Sequence, residues 1–487
     1  MRKVFLILFC LFIGCKENPE VSVDQGYKKD TASFPQNCTG VKKDVSVLWK
    51  FNPEGAPIEL GFGAIDANWD GRTEIIGLAW DKLYILKGDD GKILWTHQIP
   101  INESVIDFFG IPVGGCLSYV IGDVEGDGKE EVVTFCADGN VYAFNGEDGS
   151  VLWKVSKNFI PYSMGDIDGD GRYEVIGVMW KEKEGESEEV RISAINGENG
   201  SLLWESQVIP SSVFNTISLG DLNGDKLPDV VLGCGHPDER CGVIALNGKN
   251  GSLLWSYTYP EKEIGAVVTP PVLGDIDEDG KLEVIAVTYG HDIYAFNGED
   301  GSLLWHHEDS PVGGDYYSIA LAKVKGKFRI IGHGGVVLDE KGEVMINKKE
   351  DGMTGPYFPI IGDVDGDGKL DTIVCRKNTE ITSEGARYSQ LLIYALNIED
   401  GSEHLIYEGE KIRGTEEIVN FFLLADLNND CILDLLVGIE ESQGEYTKIL
   451  ALSLGVPVPP PNLLPWPMAR HDVKNTGLYT GNPYPPW

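Results

Sequence analysis

Basic side chains are scarce in this chain. Forty Lys and Arg stand against 77 Asp and Glu in 487 residues, a formal net charge of −37. That balance argues against nucleic acid as a partner, because such binding rests on neutralising phosphates with cationic side chains. Histidine is equally sparse, with eight copies. Long apolar runs are missing as well. The one at the start, Val4 to Ile13, is too short to span a bilayer as a stable helix, and nothing after it is longer.

What the chain does have is one acidic phrase repeated seven times. Its fullest copy is Asp275, Asp277, Asp279, Gly280, Lys281, Glu283. The others are Asp66, Asn68, Asp70, Arg72, Glu74; Asp123, Glu125, Asp127, Lys129, Glu131; and Asp166, Asp168, Asp170, Arg172, Glu174. Then come Asp221, Asn223, Asp225, Leu227, Asp229; Asp363, Asp365, Asp367, Lys369, Asp371; and Asp426, Asn428, Asp430, Ile432, Asp434. Oxygen side chains at positions 1, 3 and 5 of a tight loop point at one small volume. The backbone carbonyl of position 7 and the carboxylate of position 9 complete an oxygen shell. Such a cage suits Ca2+, which takes six to eight oxygens at roughly 2.3–2.6 Å. No ligand position holds Cys or His, which argues against zinc or copper. Gly at position 6 permits the sharp turn, and Lys226 and Cys431 replace it in two copies, where strain is expected.

An EF-hand is excluded. That loop needs a bidentate Glu at position 12, where this chain has Gly77, Thr134, Gly177, Leu232, Ala286, Val374 and Val437. The flanks read as strands, as in Val284-Ile-Ala-Val. The seven loops carry 25 carboxylates, so much of the acidity is the signature of about seven structural calcium sites.

Residues 1–15 read as a lipoprotein signal. Arg2 and Lys3 precede the apolar core, and Phe12-Ile13-Gly14-Cys15 resembles a bacterial lipobox with Cys15 as the lipidated residue. An ordinary secretory signal or a buried segment is the alternative. Residues 16–44 are polar and read as a tether. Export permits disulfides. Cys234 and Cys241 bracket a short loop, and Cys116 and Cys136 sit at the open ends of one hairpin. Cys38 is expected near Cys431, which leaves Cys375 unpaired; buried free thiols are the alternative for each pair.

A second phrase follows each acidic loop: Asn297-Gly-Glu-Asp300-Gly301-Ser-Leu-Leu-Trp305, with copies ending at Trp95, Trp153, Trp204 and Trp255. Asn-Gly and Asp-Gly are hairpin signals. Each unit therefore reads as four strands, A to D, with the acidic loop between A and B and the Asn-Gly turn between C and D. Eight units start near Glu59, Leu117, Tyr162, Asn215, Thr269, Tyr317, Phe358 and Asn420. The sixth has Lys323, Lys325 and Lys327 where carboxylates belong, so a lysine there either replaces the cation's charge or marks a decayed cage. It also has Ile346 in the Trp position, and the seventh has Leu405. The eighth ends at Ile449–Ser453 before Pro457 and lacks strand D, while Val45-Ser-Val-Leu-Trp49 is a spare D strand at the start. Missing and surplus strands complement each other. The expected fold is an all-β, eight-bladed β-propeller over 45–454, closed by the N-terminal strand, with a Pro-rich tail at 455–487.

The acidic loops resemble FG-GAP or VCBS-type repeats, and the Trp phrase resembles the docking motif of PQQ-type propellers. The tail Trp466 to Gly477, with His471 and Asp472, resembles a motif that accompanies such repeats in exported bacterial proteins and reads as a tail lying on the propeller. The resemblance implies fold and calcium, and leaves activity open. The leading expectation is a lipid-anchored, monomeric module of the cell envelope, at the outer membrane, that binds a glycan or protein on the face opposite the acidic loops. Loops Lys181–Arg191, Arg376–Tyr388 and Ile106–Cys116 emerge there, with Tyr162, Tyr316, Tyr317, Tyr357 and Phe358 nearby. These aromatics either bind ligand or pack between blades. A polysaccharide lyase is the enzymatic alternative, with His291, His306, His307 and Tyr317 as candidates. PQQ dehydrogenases use an adjacent Cys-Cys pair that this chain lacks. An outer-membrane assembly scaffold is the third reading.

Overall fold

The computed structural model describes residues 44–460 apart from 53–59, 68–71, 79–81, 99–105, 109–110, 114–115, 137, 182–188, 210–216, 236–241, 260–266, 268, 313–317, 350–351, 356–357, 382–386, 414–416 and 442–446. Cys15, the tether and the tail from 461 onward lie outside the described residues. The fold is the expected propeller: eight antiparallel sheets, each with strands in the order A-B-C-D. Blade 1 is Leu60–Ile65, Glu74–Leu78, Lys82–Lys87 and Ile93–Gln98. Blade 5 is Val272–Gly274, Glu283–Val287, Ile293–Asn297 and Leu303–His307. In blade 8, Glu417–Ala425, Ile432–Glu441 and Thr447–Pro457 are joined by Ser46–Phe51 as strand D, in register from Ser46 opposite Ser453 to Phe51 opposite Ile449. Closure pairs both ends of the chain within one sheet and removes the two edges of an open array. Among the described residues no helix is long and apolar enough to cross a membrane.

In most blades strands B and C are largely buried, as in the B strands Glu131–Cys136 and Glu283–Val287 and the C strand Ile293–Asn297, and form the apolar body of the blade. Neighbouring blades meet along their A strands, and the half-exposed D strands add side chains that reach the next blade. The indole of Trp255 donates from Nε1 to the Gly298 carbonyl of the next blade at 2.6 Å. Trp49, Trp95, Trp153 and Trp204 repeat this bond to Gly88, Gly146, Gly197 and Gly248 at 2.6–2.8 Å. Each ring also covers the second glycine of that turn. A β-carbon on Gly301 would lie 2.5 Å from Trp255 Cε3, and its φ of 70° is left-handed. Where the pattern lapses, other groups substitute. Trp305 covers Gly342, but His307 Nε2 supplies the bond, to the Lys341 carbonyl at 2.7 Å. Ile346 sits over Gly401. Leu405, 44% exposed, faces a blade whose C and D strands come from opposite chain ends and so lack that turn.

Several expectations need correction. Strand C of blade 8 runs past Ser453 to Pro457, because Gly455 takes a φ of 71° and Pro457, opposite Ile432, needs no ladder donor. Arg376–Tyr388 is mostly hairpin: Asp371–Ile381 and Arg387–Asn397 pair over eleven positions. Ile106–Cys116 contains a short hairpin, Ile106–Phe108 with Ile111–Val113. The Cys116–Cys136 disulfide is present, and Cys375 is a buried free thiol, as expected. Cys234 and Cys431 are also disulfide-bonded; their expected partners, Cys241 and Cys38, lie outside the described residues.

The docking bonds generate a test. Trp255→Ala should cost about 3 kcal/mol, in the range for large aromatic truncations, and Gly301→Ala should also destabilise. Leu405→Ala should cost well under that. Thermal melts of the three variants check it, and equal shifts would contradict the docking account.

Candidate metal centres

All described A–B turns but one share a single hydrogen-bond plan. The carboxylate at position 9 turns back and accepts the amide of position 2. Ala67 donates to Glu74 at 2.9 Å, Val124 to Glu131 at 2.9 Å and Ile167 to Glu174 at 3.1 Å. Leu222 donates to Asp229 at 3.0 Å, Ile276 to Glu283 at 2.7 Å, Val364 to Asp371 at 3.2 Å and Leu427 to Asp434 at 3.0 Å. The Asp at position 1 gathers amides from further round the loop. Asp123, for example, accepts Gly126, Asp127 and Gly128 at 2.6, 3.1 and 2.8 Å. Position 5 accepts the amide of position 7, as from Lys129 to Asp127 and from Lys281 to Asp279. These bonds fix each carboxylate in place while leaving it lone pairs.

The result is converging oxygen. Asp166, Asp168 and Glu174 present ligand atoms within 4.8 Å of one another, as do Asp275, Asp277 and Asp279, and Asp363, Asp365 and Asp371. Asp434, at position 9 of the loop in blade 8, is fully buried opposite Ser453. An all-oxygen donor set of converging, partly buried carboxylates fits a hard cation. Positions 4 and 6 are left-handed wherever described, including the non-glycines Lys226 at 71° and Cys431 at 63°. Asn68 and Asp70 of the first loop lie outside the described residues.

Two blades depart from the plan. In the fourth loop, Asp229 is saturated by protein donors: the Leu222, Asn223 and Gly248 amides and the Asn223 side chain. Among the fully described loops it has the position 9 carboxylate most taken up by the protein's own donors. In blade 6 the A–B connection is a two-residue turn, Lys325-Gly326, with φ of 50° and 81° between Val324 and Lys327. No cage exists there for a lysine to fill. Instead Lys323 pairs with Glu278 of the blade 5 loop at 2.6 Å, and Lys325 with Glu399 of blade 7.

Burial dominates the electrostatics. It pushes the Glu131, Glu174, Glu283, Asp371 and Asp434 carboxyls up to about 8, with neighbouring carboxylates adding to the rise. Asp229 and Asp426 rise to about 6, again chiefly through burial. A cation in the cage favours the charged form and opposes this.

Some partners of the cages were not anticipated. The position 7 side chains reach the acid of the C–D turn in their own blade: Arg72 to Asp89, Lys129 to Glu147, Arg172 to Glu198 and Lys281 to Glu299. The signal was present, since the Asn-Gly phrase repeatedly carries an acid at its third position. These exposed pairs contribute little each. Adjacent loops also touch. The Thr73 hydroxyl donates to the Asp426 carbonyl at 3.0 Å, and the Tyr173 amide to that of Asp123 at 3.2 Å.

The other candidates disperse. Tyr162 and Phe358 are 1% and 2% exposed and pack in the core; Tyr316, Tyr317 and Tyr357 lie outside the described residues. His306 and His307 end a strand rather than form a loop, His306 stacking on Tyr294 at 4.0 Å. His291 occupies a left-handed turn position, φ 72°.

Fold and site define a class: an eight-bladed propeller with acidic turns on one face. Residues 41–227 match the family model described as outer membrane protein assembly factor BamB, and residues 221–286 match the FG-GAP-like repeat. No curated protein matches the chain. Similar solved structures include BamB from Moraxella catarrhalis, 14% identical over 83% of this chain and 99% of that one, TM-score 0.46. A europium-containing methanol dehydrogenase is 11% identical over 84% and 93%, TM-score 0.49. A rhamnogalacturonan lyase from Bacillus licheniformis is 14% identical over 78% and 80%, TM-score 0.43.

The raised carboxyl values set a pH dependence. The folded chain without cation holds protons that the unfolded chain releases above about 4.5. That stabilisation is complete below the unfolded value and is lost as pH rises toward 8. In chelator, the melting temperature should therefore rise as pH falls from 8 to about 5.5. Excess divalent cation should flatten or reverse the trend, because it binds the deprotonated cages. Melts across pH with and without cation decide it.

Proposed function

We propose that this chain is an exported, calcium-loaded propeller that holds a protein partner in the cell envelope. In this reading Ca2+ fills the cages of blades 1, 2, 3, 5, 7 and 8, with the fourth loop weakest. The ligands are the oxygens at positions 1, 3, 5 and 9 and the carbonyl at position 7. The ion supplies positive charge that lets clustered carboxylates stay ionised while buried, so its binding free energy adds to folding. The converging all-oxygen donor set supports this.

The observation that carries the binding role is the lengthening of blades 7 and 8 away from the acidic face. Asp371–Ile381 and Arg387–Asn397 project as a ribbon whose outer residues are exposed, Ile381 by 69%. Ile412–Arg413 pairs onto its flank at Ser389 and Tyr388. Strands of this kind suit recognition of a protein surface. Burial of Tyr162 and Phe358 removes two of the aromatics that favoured a glycan. The match of 41–227 to the BamB model supports an envelope setting and a scaffold role. Anchoring through lipid on Cys15 completes the proposal.

Chelation should lower the melting temperature by on the order of 10 °C. Asp363→Ala should reproduce part of that fall, and Asp221→Ala less. An unchanged melt in chelator would end the calcium reading. For the binding role, solubilised envelope is passed over the calcium-loaded chain and its Ile381→Asp variant. Partner retention should fall in the variant while the melt stays put. Turnover of an acidic polysaccharide to an unsaturated, ultraviolet-absorbing product would instead favour the lyase reading.

A further inference from the structure

The acidic loops of blades 2 and 3 are built partly from each other. The last arm of the blade 3 loop runs from Arg172, whose carbonyl is the position 7 oxygen, through Tyr173 to the Glu174 carboxylate. That arm lies on the blade 2 loop. The Tyr173 amide donates to the carbonyl of Asp123, position 1 of blade 2, at 3.2 Å. The Tyr173 ring covers Gly122, where an added β-carbon would meet Cδ2 at 2.7 Å. The Arg172 side chain covers Gly126, position 4 of blade 2, where a β-carbon would lie 3.0 Å from Cγ. Gly126 is left-handed, at φ 74°, and its amide is held by Asp123 at 2.6 Å. In the other direction Val124, whose amide Glu131 accepts, packs against Gly197 of the blade 3 Asn-Gly turn. The next seam repeats the packing without the bond. Leu227 lies on Gly169 and Pro228 on Gly165, position for position, but Pro228 has no amide to give the Asp166 carbonyl.

We propose that the cages of blades 2 and 3 fill cooperatively, with Arg172 and Tyr173 positioning each cage for the other. The inference rests on the calcium reading above. A cation in the blade 2 cage fixes Asp123 and the turn around Gly126. It thereby fixes the surface on which the Arg172–Tyr173 arm lies. The blade 3 cage then has its position 7 carbonyl and position 9 carboxylate held in advance, so ordering them on binding costs less conformational entropy. Linkage makes the effect reciprocal: a cation in blade 3 raises affinity in blade 2 by the same factor. Repulsion between the two ions opposes this and is screened by salt. Proline at position 8 leaves the fourth loop outside the coupled pair.

The test is hydrogen exchange of the full chain at a series of free calcium concentrations, read peptide by peptide over loops 123–131, 166–174 and 363–371. Each loop then reports its own calcium midpoint. Asp127→Ala removes an exposed ligand of the blade 2 cage, and the midpoint of 166–174 should rise about fivefold. Asp170→Ala, equally exposed in blade 3, should raise the midpoint of 123–131 by the same factor. Loop 363–371, in blade 7, is the internal control and should not move in either variant. Tyr173→Pro gives blade 3 the residue that blade 4 has at position 8. It should leave both loops responsive to calcium and abolish the shift that Asp127→Ala causes at 166–174. Should Tyr173→Pro fold poorly, Tyr173→Ala, which keeps the amide and loses the ring, should shrink that shift. An unmoved midpoint at 166–174 in Asp127→Ala, or an equal shift at 363–371, would overturn the coupling while leaving the calcium reading intact. No calcium response at any loop would remove the calcium reading and the coupling together.

Discussion

A buried carboxylate that accepts the amide seven residues before it recurs at the base of seven turns, and much of the molecule is arranged around it. The bond shapes the turn that joins strands A and B. It also brings the position 9 oxygen up against two or three other carboxylates. Burial first, and the neighbouring carboxylates second, push Glu131, Glu174, Glu283, Asp371 and Asp434 up to about 8. A large share of the acidity behind the net charge of −37 therefore lies in turns whose oxygens could hold a cation.

These turns are not independent of the ring. The position 2 residue of one loop lies against the Asn-Gly turn of the next blade: Leu427 at Gly88, Ala67 at Gly146, Val124 at Gly197. The Trp of the same blade donates to that same glycine. Loop and indole brace one neighbouring turn together, so an inter-blade seam depends on both. The seams differ accordingly. Five have the full Trp bond, that from blade 5 to blade 6 borrows a histidine, and the last two before closure rely on Ile346 and Leu405. Around blade 6, Lys323 and Lys325 also pair outward to blades 5 and 7, as exposed ion pairs that add little.

What was legible in the sequence was local. The nine-residue spacing and the Asn-Gly-to-Trp phrase each specify a turn by their own chemistry, so blades, cages and the closing strand could be read directly. The same reading placed Cys116 opposite Cys136 and left Cys375 alone. What escaped it depended on partners distant in sequence. The length of the blade 7 ribbon is set by pairing between two strands whose outer halves are polar, so Arg376–Tyr388 looked like loop. His307 could not be distinguished from a site residue, because its role is to replace an indole two positions away. Saturation of Asp229 follows from Gly248 and Asn223 together, and the loop sequence alone resembles the others. Tyr162 and Phe358 were ambiguous for the same reason: burial is a property of the neighbouring blade.

Ring closure carries a further consequence for how force and chemistry enter the molecule. In most blades strands C and D are covalently continuous through the Asn-Gly turn. In blade 8 they belong to opposite ends of the chain, held side by side by the ladder from Ser46 to Phe51. An anchor at the N-terminus would pull on that D strand, and the ladder alone resists by strand separation. The Cys431 disulfide, the Val458 bond and the cage at Asp426–Asp434 all lie at the same end of this sheet, where the missing turn would have been. The crosslinked Cys431 turn and the Val458 bond thus sit where the other blades have a covalent C–D connection, in the blade that closes the ring.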